Sequence, residues 1–172
     1  MLALLATPAI DVAQVFDAHG RYVFRALRHL GVPEHQVEDA VQEVFVVVHR
    51  RSSEWDGRSQ VTSWLHAIAL RVAADHRKRS RRRRETAVGE VPEVVSATTP
   101  EDEVLRHEAR SRVLSALEEL DDAQREVTVL FEIEQLPMAE VAALLGVPLQ
   151  TAYSRLYAGR RLLAAHLSKE LR

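Results

Sequence analysis

The fold of this chain is decided by Met138-Ala-Glu-Val-Ala-Ala-Leu-Leu-Gly-Val-Pro-Leu-Gln-Thr-Ala-Tyr-Ser-Arg-Leu156. Apolar residues return at helical intervals on both sides of a Gly-Val-Pro break, which predicts two short helices joined by a tight turn. Gly146 can adopt the left-handed conformation that ends the first helix. Ala142 is small enough for the second helix to cross closely, and Ala152 and Leu156, four residues apart, would bury that helix. The stretch therefore predicts a helix-turn-helix.

The second of these helices has an outward face that suits DNA. Its hydroxyl, amide and guanidinium groups can bind base edges in the major groove and backbone phosphates. These groups belong to Gln150, Thr151, Tyr153, Ser154, Arg155, Tyr157 and Arg160. An ordinary helical hairpin with a solvated polar face is the alternative. We favour DNA binding because the glycine corner, the small residue at the crossing and the cationic exit occur together.

Helical periodicity also governs the rest of the 172 residues, and no stretch shows a convincing strand pattern. The periodicity predicts a helix from Val12, a second over about 33–50 and a third over about 61–79. A flexible, acidic linker is predicted over 85–107, with a helix start at Thr99-Pro100. The sequence thus predicts an all-α protein of two small helical domains, residues 11–84 and 108–172, preceded by a leader at 1–10.

Charge is more informative by its distribution than by its total. The formal net charge is −2, yet a dense cationic run extends from Arg77 to Arg84 and acidic residues crowd 90–108 and 118–126. Such segregation indicates distinct partners for distinct segments. With no cysteine and eight scattered histidines, we expect no disulfide, metal site or cofactor. The apolar runs are too short to cross a bilayer, so we expect no membrane insertion.

Three segments in the N-terminal half carry a resemblance to a known family. They are Asp39-Ala-Val-Gln-Glu-Val-Phe45, Trp55-Asp-Gly-Arg-Ser-Gln-Val-Thr-Ser-Trp-Leu65 and Ile68-Ala-Leu-Arg-Val-Ala-Ala-Asp-His76. Together they resemble region 2 of the extracytoplasmic-function (ECF) sigma factors of RNA polymerase, and the C-terminal helix-turn-helix resembles region 4 of the same family. The resemblance covers nearly the whole chain, from about residue 11 to 167. Two unconnected regions in the correct order are more specific than either alone.

The resemblance implies a transcription initiation factor rather than an enzyme, acting in the cytoplasm. It would bind core RNA polymerase (β′ and β subunits), place region 4 on the −35 element and region 2 on the −10 element, and promote promoter melting. The resemblance also implies an anti-sigma factor as a partner. Asp39, Gln42 and Glu43 would face the coiled coil of β′. The helical pattern agrees, because these three residues share one stripe while Val44 and Val48 face inward; a merely solvated face is the alternative.

Recognition of the −10 element is implied for the loop after Trp55 and for the helix that follows. Opening the duplex requires a pocket that holds an unstacked base by stacking and edge hydrogen bonds. The residues implied for that pocket are Trp55, Arg58, Ser59, His66 and Arg71. Asp75, further along the helix, is also implied to contact the −10 DNA. The cationic run would contact phosphates through Arg77, Lys78, Arg79 and Arg81. Trp64 is expected to lie in the core instead.

Several positions depart from the pattern of the family. Arg71 stands where many members carry Asn, Gln135 replaces a frequent Gly, and Pro137 occupies the usual Ser position before a helix. Gln150 and Ala152 replace a common Gly and Val. These departures bear on promoter preference and leave the fold prediction unchanged.

Two other classes of function compete with this prediction. A helix-turn-helix regulator that is not a polymerase subunit would explain residues 138–161, but not the N-terminal segments. An enzyme such as a small nuclease is disfavoured, because the sequence lacks paired carboxylates beside a base, a nucleophile motif and a phosphate-binding glycine loop.

Overall fold

The computed structural model describes residues 10–55, 60–86 and 101–170, with side chains described for all of these except 86, 101–107 and 170. The regular elements in these ranges are helices, and no strand occurs among them. The chain divides into two compact units, Met1–Lys78 and Arg79–Arg172. The prediction of an all-α protein is confirmed.

The first unit is built on three helices: α1 (Val12–His29), α2 (Val37–Arg50) and the part of α3 (Val61–Thr86) that ends at Lys78. Asp11 caps α1 by accepting hydrogen bonds from the N–H groups of Ala13 and Gln14. Gly31 follows α1 with a φ of 86°, a left-handed conformation that glycine adopts without strain. A short 3-10 turn, Glu34–Gln36, then leads into α2, where the sequence predicted one continuous helix.

The core of the first unit is formed by the inner faces of all three helices. Leu27 of α1, Val44 and Val48 of α2, and Leu65 and Ala73 of α3 are all essentially inaccessible to solvent. Complete burial of a valine or leucine side chain stabilises the folded state by about 1.5–3 kcal/mol. The prediction that Val44 and Val48 of α2 face inward is confirmed. Trp64, expected in the core, is only half-buried.

Helix α3 is longer than predicted, because it continues to Thr86 rather than ending near Arg79. Arginine, lysine and glutamate are good helix formers, and no glycine or proline interrupts the chain between Val61 and Thr86. Cationic side chains are also favourable in the last turn of a helix, where the helix dipole is negative. The cationic run therefore lies on a helix.

The second unit contains α4 (Glu101–Glu118), α5 (Asp122–Thr128), α6 (Met138–Leu145) and α7 (Leu149–Glu170). Asp121 and Gln124 form a capping box at the start of α5, in which each side chain accepts from the other residue's backbone N–H. After α5 the chain continues as a π-helix over Val129–Ile133. A wider turn of this kind is rare and is often found beside functional sites.

The core of the second unit lies where α7 crosses α5 and α6. Leu130, Val141, Ala152 and Leu156 are almost completely buried. Gly159 of α7 approaches α5 so closely that a Cβ atom there would lie 2.9 Å from Oγ1 of Thr128. The crossing therefore depends on the absence of a side chain at position 159.

The predicted leader and linker fall largely outside the described residues. Residues 1–9 and 87–100 are not described, whereas Ile10 is. The two ends of the predicted linker are helical, since α3 extends to residue 86 and α4 begins at residue 101.

Candidate nucleic-acid and protein interfaces

The predicted helix-turn-helix is present in α6 and α7. Gly146 ends α6 with a φ of 63° in the left-handed region, and the N–H of Val147 donates to the carbonyl of Ala142 at 3.0 Å. Pro137 precedes α6 without a side-chain capping bond, as its ring dictates. Ala152 and Leu156 face inward and fix the rotation of α7, so the opposite face of its first turns lies on the surface.

That opposite face carries the side chains predicted to contact the −35 element. Gln150, Ser154, Tyr157 and Arg160 are exposed, and Thr151, Tyr153 and Arg155 are half-buried. The rings of Tyr153 and Tyr157 stack with centroids 6.4 Å apart, which holds two aromatic edges together on the surface. The surface can offer hydrogen-bond donors, acceptors and apolar contacts to a groove of DNA.

Arg160 is held by partners that the sequence did not suggest. Its Nε and Nη2 atoms each lie 2.6 Å from Oε1 of Glu132, and its guanidinium lies 5.9 Å from the ring centroid of Phe131. Both partners belong to the π-helix, and its wider turn determines the direction of their side chains. Gln135, just beyond it, has a φ of 57°. Glycine adopts this left-handed conformation without strain, which explains why glycine is frequent at this position in the family that the sequence resembles.

A polar stripe follows the exposed side of α2 in the first unit. Asp39 and Gln42 are exposed, and the side chain of Glu43 is 42% exposed. On the same helix Val44, Phe45 and Val48 are buried, as predicted. A shallow groove continues this stripe toward the end of α2, where the ring of Phe16 packs edge-on against Phe45 with centroids 4.9 Å apart. The stripe is thus an accessible polar surface on a rigid apolar base.

A second surface of the first unit lies on α3. Arg71, Asp75 and Lys78 are exposed, and their spacing of four and three residues places them on one side of the helix. Arg79 and Arg81 follow and are also exposed, and they belong to the second unit. Within that unit Arg81 donates to Asp122 at 2.7 Å. In the first unit, this face combines two cationic groups, Arg71 and Lys78, with the carboxylate of Asp75.

The structure places two of the predicted DNA-contacting residues in the interior, which corrects the assignment made from sequence. His66 is 3% exposed and its ring is hydrogen-bonded to the hydroxyl of Tyr22, 44 residues earlier. Arg77 is 5% exposed and donates from Nη1 to the carbonyl of Leu30 at 2.5 Å, so it caps the end of α1. Both side chains are engaged with the protein itself and face away from solvent.

The predicted base pocket is described only in part. Arg58 and Ser59 lie outside the described residues, and Trp55 is half-buried. The indole Nε1 of Trp55 is buried, and no described residue accepts a hydrogen bond from it. Arg71, also predicted for the pocket, is exposed on α3.

Sequence reasoning missed three polar residues that the fold uses. His76 of α3 is buried and lies beside Gln36 and Glu43. Arg125 of α5 is buried and donates to the carbonyls of Leu117 and Leu120, which end α4. Glu132 of the π-helix forms an ion pair with Arg160. No local pattern signals these roles, because each depends on a backbone or side-chain partner brought close by folding.

Other kinds of site find no support in the described residues. None of the described helices is both long enough and apolar enough to cross a membrane. Where side chains can be assessed, no group of three or more His, Cys, Asp or Glu residues is placed to hold a metal ion.

Comparison with known proteins identifies a family for both parts of the chain. Residues 15–83 match the family Sigma-70 region 2, and residues 110–163 match the family Sigma-70, region 4. The RNA polymerase sigma factor NccH of Alcaligenes xylosoxydans xylosoxydans is 31% identical over 159 residues, which cover 90% of this chain and 85% of NccH. The chain belongs to the ECF sigma factors of RNA polymerase.

Two further relatives extend the match. The ECF RNA polymerase sigma factor SigE of Mycolicibacterium smegmatis is 33% identical over 95% of this sigma factor, which spans 63% of the length of SigE. The solved structure of CnrH in complex with the cytosolic domain of CnrY is 28% identical, with a TM-score of 0.67, and the match covers 92% of this chain and 88% of CnrH. The region 2 match lies mainly in the first unit, and the region 4 match lies within the second.

Proposed function

We propose that this sigma factor binds core RNA polymerase through the polar stripe on α2 and directs it to promoters by contacting the −10 element with residues of the region 2 match and the −35 element with residues of the region 4 match. It would act in the cytoplasm, as a specificity subunit that leaves bond formation to the polymerase. The observation that carries the proposal is the separation of two surfaces: each matched region exposes its own polar surface on its own apolar core.

The stripe of Asp39, Gln42 and Glu43 suits a cationic helical partner such as the coiled coil of β′. Two carboxylates and an amide supply acceptors within two turns of one rigid helix. Charge complementarity of this kind fixes the register of two partners and speeds their encounter. The apolar base beneath the stripe limits the entropy lost when the partner docks, because α2 is already ordered.

Contact with the −35 element is assigned to the outward face of α7. Gln150, Arg155 and Tyr157 supply an amide, a guanidinium and an aromatic ring that can address base edges in the major groove, while Arg160 suits a phosphate. Because Glu132 and Phe131 already orient Arg160, it would bind with little loss of rotamer freedom.

Contact with the −10 element is assigned to α3 and to the loop after Trp55. Arg71, Lys78 and Arg79 offer cationic groups along one helix, which suits the phosphates of an opened strand. Arg58, Ser59 and Trp55 stay candidates for the base pocket. His66 and Arg77 are not included, because they are buried.

Core polymerase would combine two weak contacts with DNA into one strong interaction. Each unit alone offers only a small surface to DNA. When core enzyme holds both units at once, binding of one raises the effective concentration of the other at its element. We therefore expect the isolated chain to bind promoter DNA poorly and the holoenzyme to bind it well.

A protein inhibitor is a further proposed partner. CnrH, to which this chain is similar, has been solved with the cytosolic domain of CnrY. We infer that an anti-sigma factor occupies surfaces of this chain as well, and so keeps it from core polymerase until it is released.

The direct test of the polymerase surface is Asp39→Arg, measured as the Kd for core RNA polymerase. Charge reversal in the stripe should abolish binding while circular dichroism shows an intact fold. The matched control is Glu38→Arg, because Glu38 is also exposed but lies about 100° away around α2. Normal affinity of the Asp39→Arg protein would contradict the proposal.

A second experiment separates a sigma factor from an independent helix-turn-helix regulator. Permanganate footprinting should show promoter melting only when both core polymerase and this chain are present. A regulator would instead bind duplex DNA alone, usually as a dimer on a palindrome.

A further inference from the structure

A buried histidine joins the helix proposed to face polymerase to the helix proposed to face promoter DNA. His76 of α3 is 4% exposed. Its Nδ1 atom lies 3.2 Å from Oε1 of Gln36, at the start of α2, and its Nε2 atom lies 3.3 Å from Oε1 of Glu43, in the middle of α2. One imidazole thus contacts both the residue that precedes α2 and a residue in the middle of α2.

An oxygen atom lies near each ring nitrogen of His76, one from Gln36 and one from Glu43. Nε2 of Gln36 lies 3.0 Å from Nε2 of His35, an arrangement that leaves Oε1 of Gln36 facing His76. His76 therefore meets an oxygen acceptor on each side. Both approaches are attractive only when both ring nitrogens carry hydrogen, because a ring with a single N–H can donate to only one of the two oxygens. The approach to Glu43 is at ion-pair distance without the alignment of a hydrogen bond, since Nε2 has no aligned partner among the described residues.

Glu43 is well placed to transmit this contact to the surface. Its side chain is 42% exposed, so one part of it lies against His76 and another part is accessible to solvent. It belongs to the same stripe as Asp39 and Gln42. Burying an imidazole costs free energy unless its nitrogens find partners, and here one partner is a member of the docking stripe.

We propose that His76 is a positioning residue for polymerase binding, which holds the Glu43 carboxylate in the orientation that the polymerase receives. The role rests on the proposed function. It also gives α3 a direct mechanical tie to the docking stripe, so that displacement of the promoter-facing helix changes the direction of a polymerase-facing carboxylate.

A double-mutant cycle on the full-length protein tests this role. The Kd for core RNA polymerase is measured for the wild type, for His76→Leu, for Glu43→Gln and for the double variant. We expect His76→Leu to weaken binding about five- to tenfold in the wild-type background and less than about twofold in the Glu43→Gln background, because residues that act through one contact are not additive. Equal losses in both backgrounds, or no loss in either, would overturn the proposal.

Controls separate positioning from general damage. His35→Leu is the matched control, since His35 also contacts Gln36 but is exposed and has no contact with Glu43 in the structure; it should bind polymerase normally. If His76→Leu does not fold, as judged by circular dichroism, the same cycle is run with His76→Gln, which keeps a donor.

The cycle also distinguishes this role from the proposed function. If Glu43→Gln binds normally while Asp39→Arg does not bind, the positioning role is overturned and polymerase docking through α2 stands. If Asp39→Arg also binds normally, the proposed docking surface itself fails.

Discussion

The two units solve one structural problem in different ways. A helix that ends in the interior leaves carbonyl groups without intrahelical partners, and each unit satisfies them with a buried arginine. In the second unit Arg125 donates to Leu117 and Leu120, which lie eight and five residues before it. In the first unit Arg77 donates to Leu30, which lies 47 residues before it.

Several other polar contacts show the same contrast between partners that are near and partners that are distant in the sequence. In the second unit the capping box of Asp121 and Gln124 spans three residues. In the first unit Tyr22 reaches His66 over 44 residues and Gln36 reaches His76 over 40. Buried polar side chains thus pin the first unit through long-range contacts that form only when α1, α2 and α3 have assembled, whereas the buried arginine of the second unit has local partners. Two long-range pairs of the second unit, Arg81 with Asp122 and Arg160 with Glu132, lie at its surface.

Replacing the two arginines with methionine should give the largest effect. Arg77→Met removes the guanidinium donor to the carbonyl of Leu30, and Arg125→Met removes the guanidinium donor to the carbonyls at the end of α4. Each should lower the free energy of unfolding by about 3 kcal/mol. Both tryptophans, Trp55 and Trp64, lie in the first unit, so their fluorescence reports that unit. In urea titrations, Arg77→Met should shift the fluorescence transition. Arg125→Met should shift only the transition seen by circular dichroism, and identical behaviour of the two variants would contradict the contrast.

Adding a methyl group to a glycine of each unit should give opposite signs. Gly159→Ala places Cβ 2.9 Å from Oγ1 of Thr128 and should lower the free energy of unfolding by about 1–3 kcal/mol. Gly20→Ala meets only the ring of Phe16, at 3.8 Å, and should raise it by up to about 1 kcal/mol through helix propensity. Thermal unfolding measures both. Thr128→Ala should restore part of the loss in the Gly159→Ala protein, and a stable Gly159→Ala protein would refute the tight crossing.

Breaking the pair of Tyr22 and His66 tests the correction made for His66. Tyr22→Phe and His66→Leu should each cost about 1 kcal/mol of unfolding free energy through loss of one hydrogen bond. Neither should change the Kd of holoenzyme for promoter DNA. If His66→Leu weakens promoter binding and Tyr22→Phe does not, the ring contacts DNA after all.

The smallest effect is expected from the helix caps. Asp11→Ala and Asp121→Ala should each cost about 1 kcal/mol or less, because each removes a side-chain acceptor from the first turn of a helix. Asp121→Ala should cost more, since its reciprocal partner Gln124 loses its role as well. Far-UV circular dichroism during urea unfolding measures both, and a neutral Asp121→Ala protein would show that the local cap adds little to the second unit.

This contrast explains what could be predicted from the sequence. The corner at Gly146, the buried Ala152 and the inward face of α2 are local patterns, and each was predicted correctly. His66 and Arg77 were assigned to DNA because a polar residue on a helix looks exposed when its partner lies more than 40 residues away. His76 and Glu132 were missed because their partners are also distant in the sequence, 40 residues away for Gln36 and 28 residues away for Arg160. In addition, no periodicity marks the π-helix that carries Glu132.

The central claim is that two helical units of one chain direct core polymerase to a start site. Run-off transcription with purified core RNA polymerase on a library of genomic fragments tests it most directly. Transcripts of discrete length should appear on particular fragments when the wild-type chain is added, and should disappear with Asp39→Arg. Failure of the wild-type chain to elicit any transcript from active core enzyme would contradict the account.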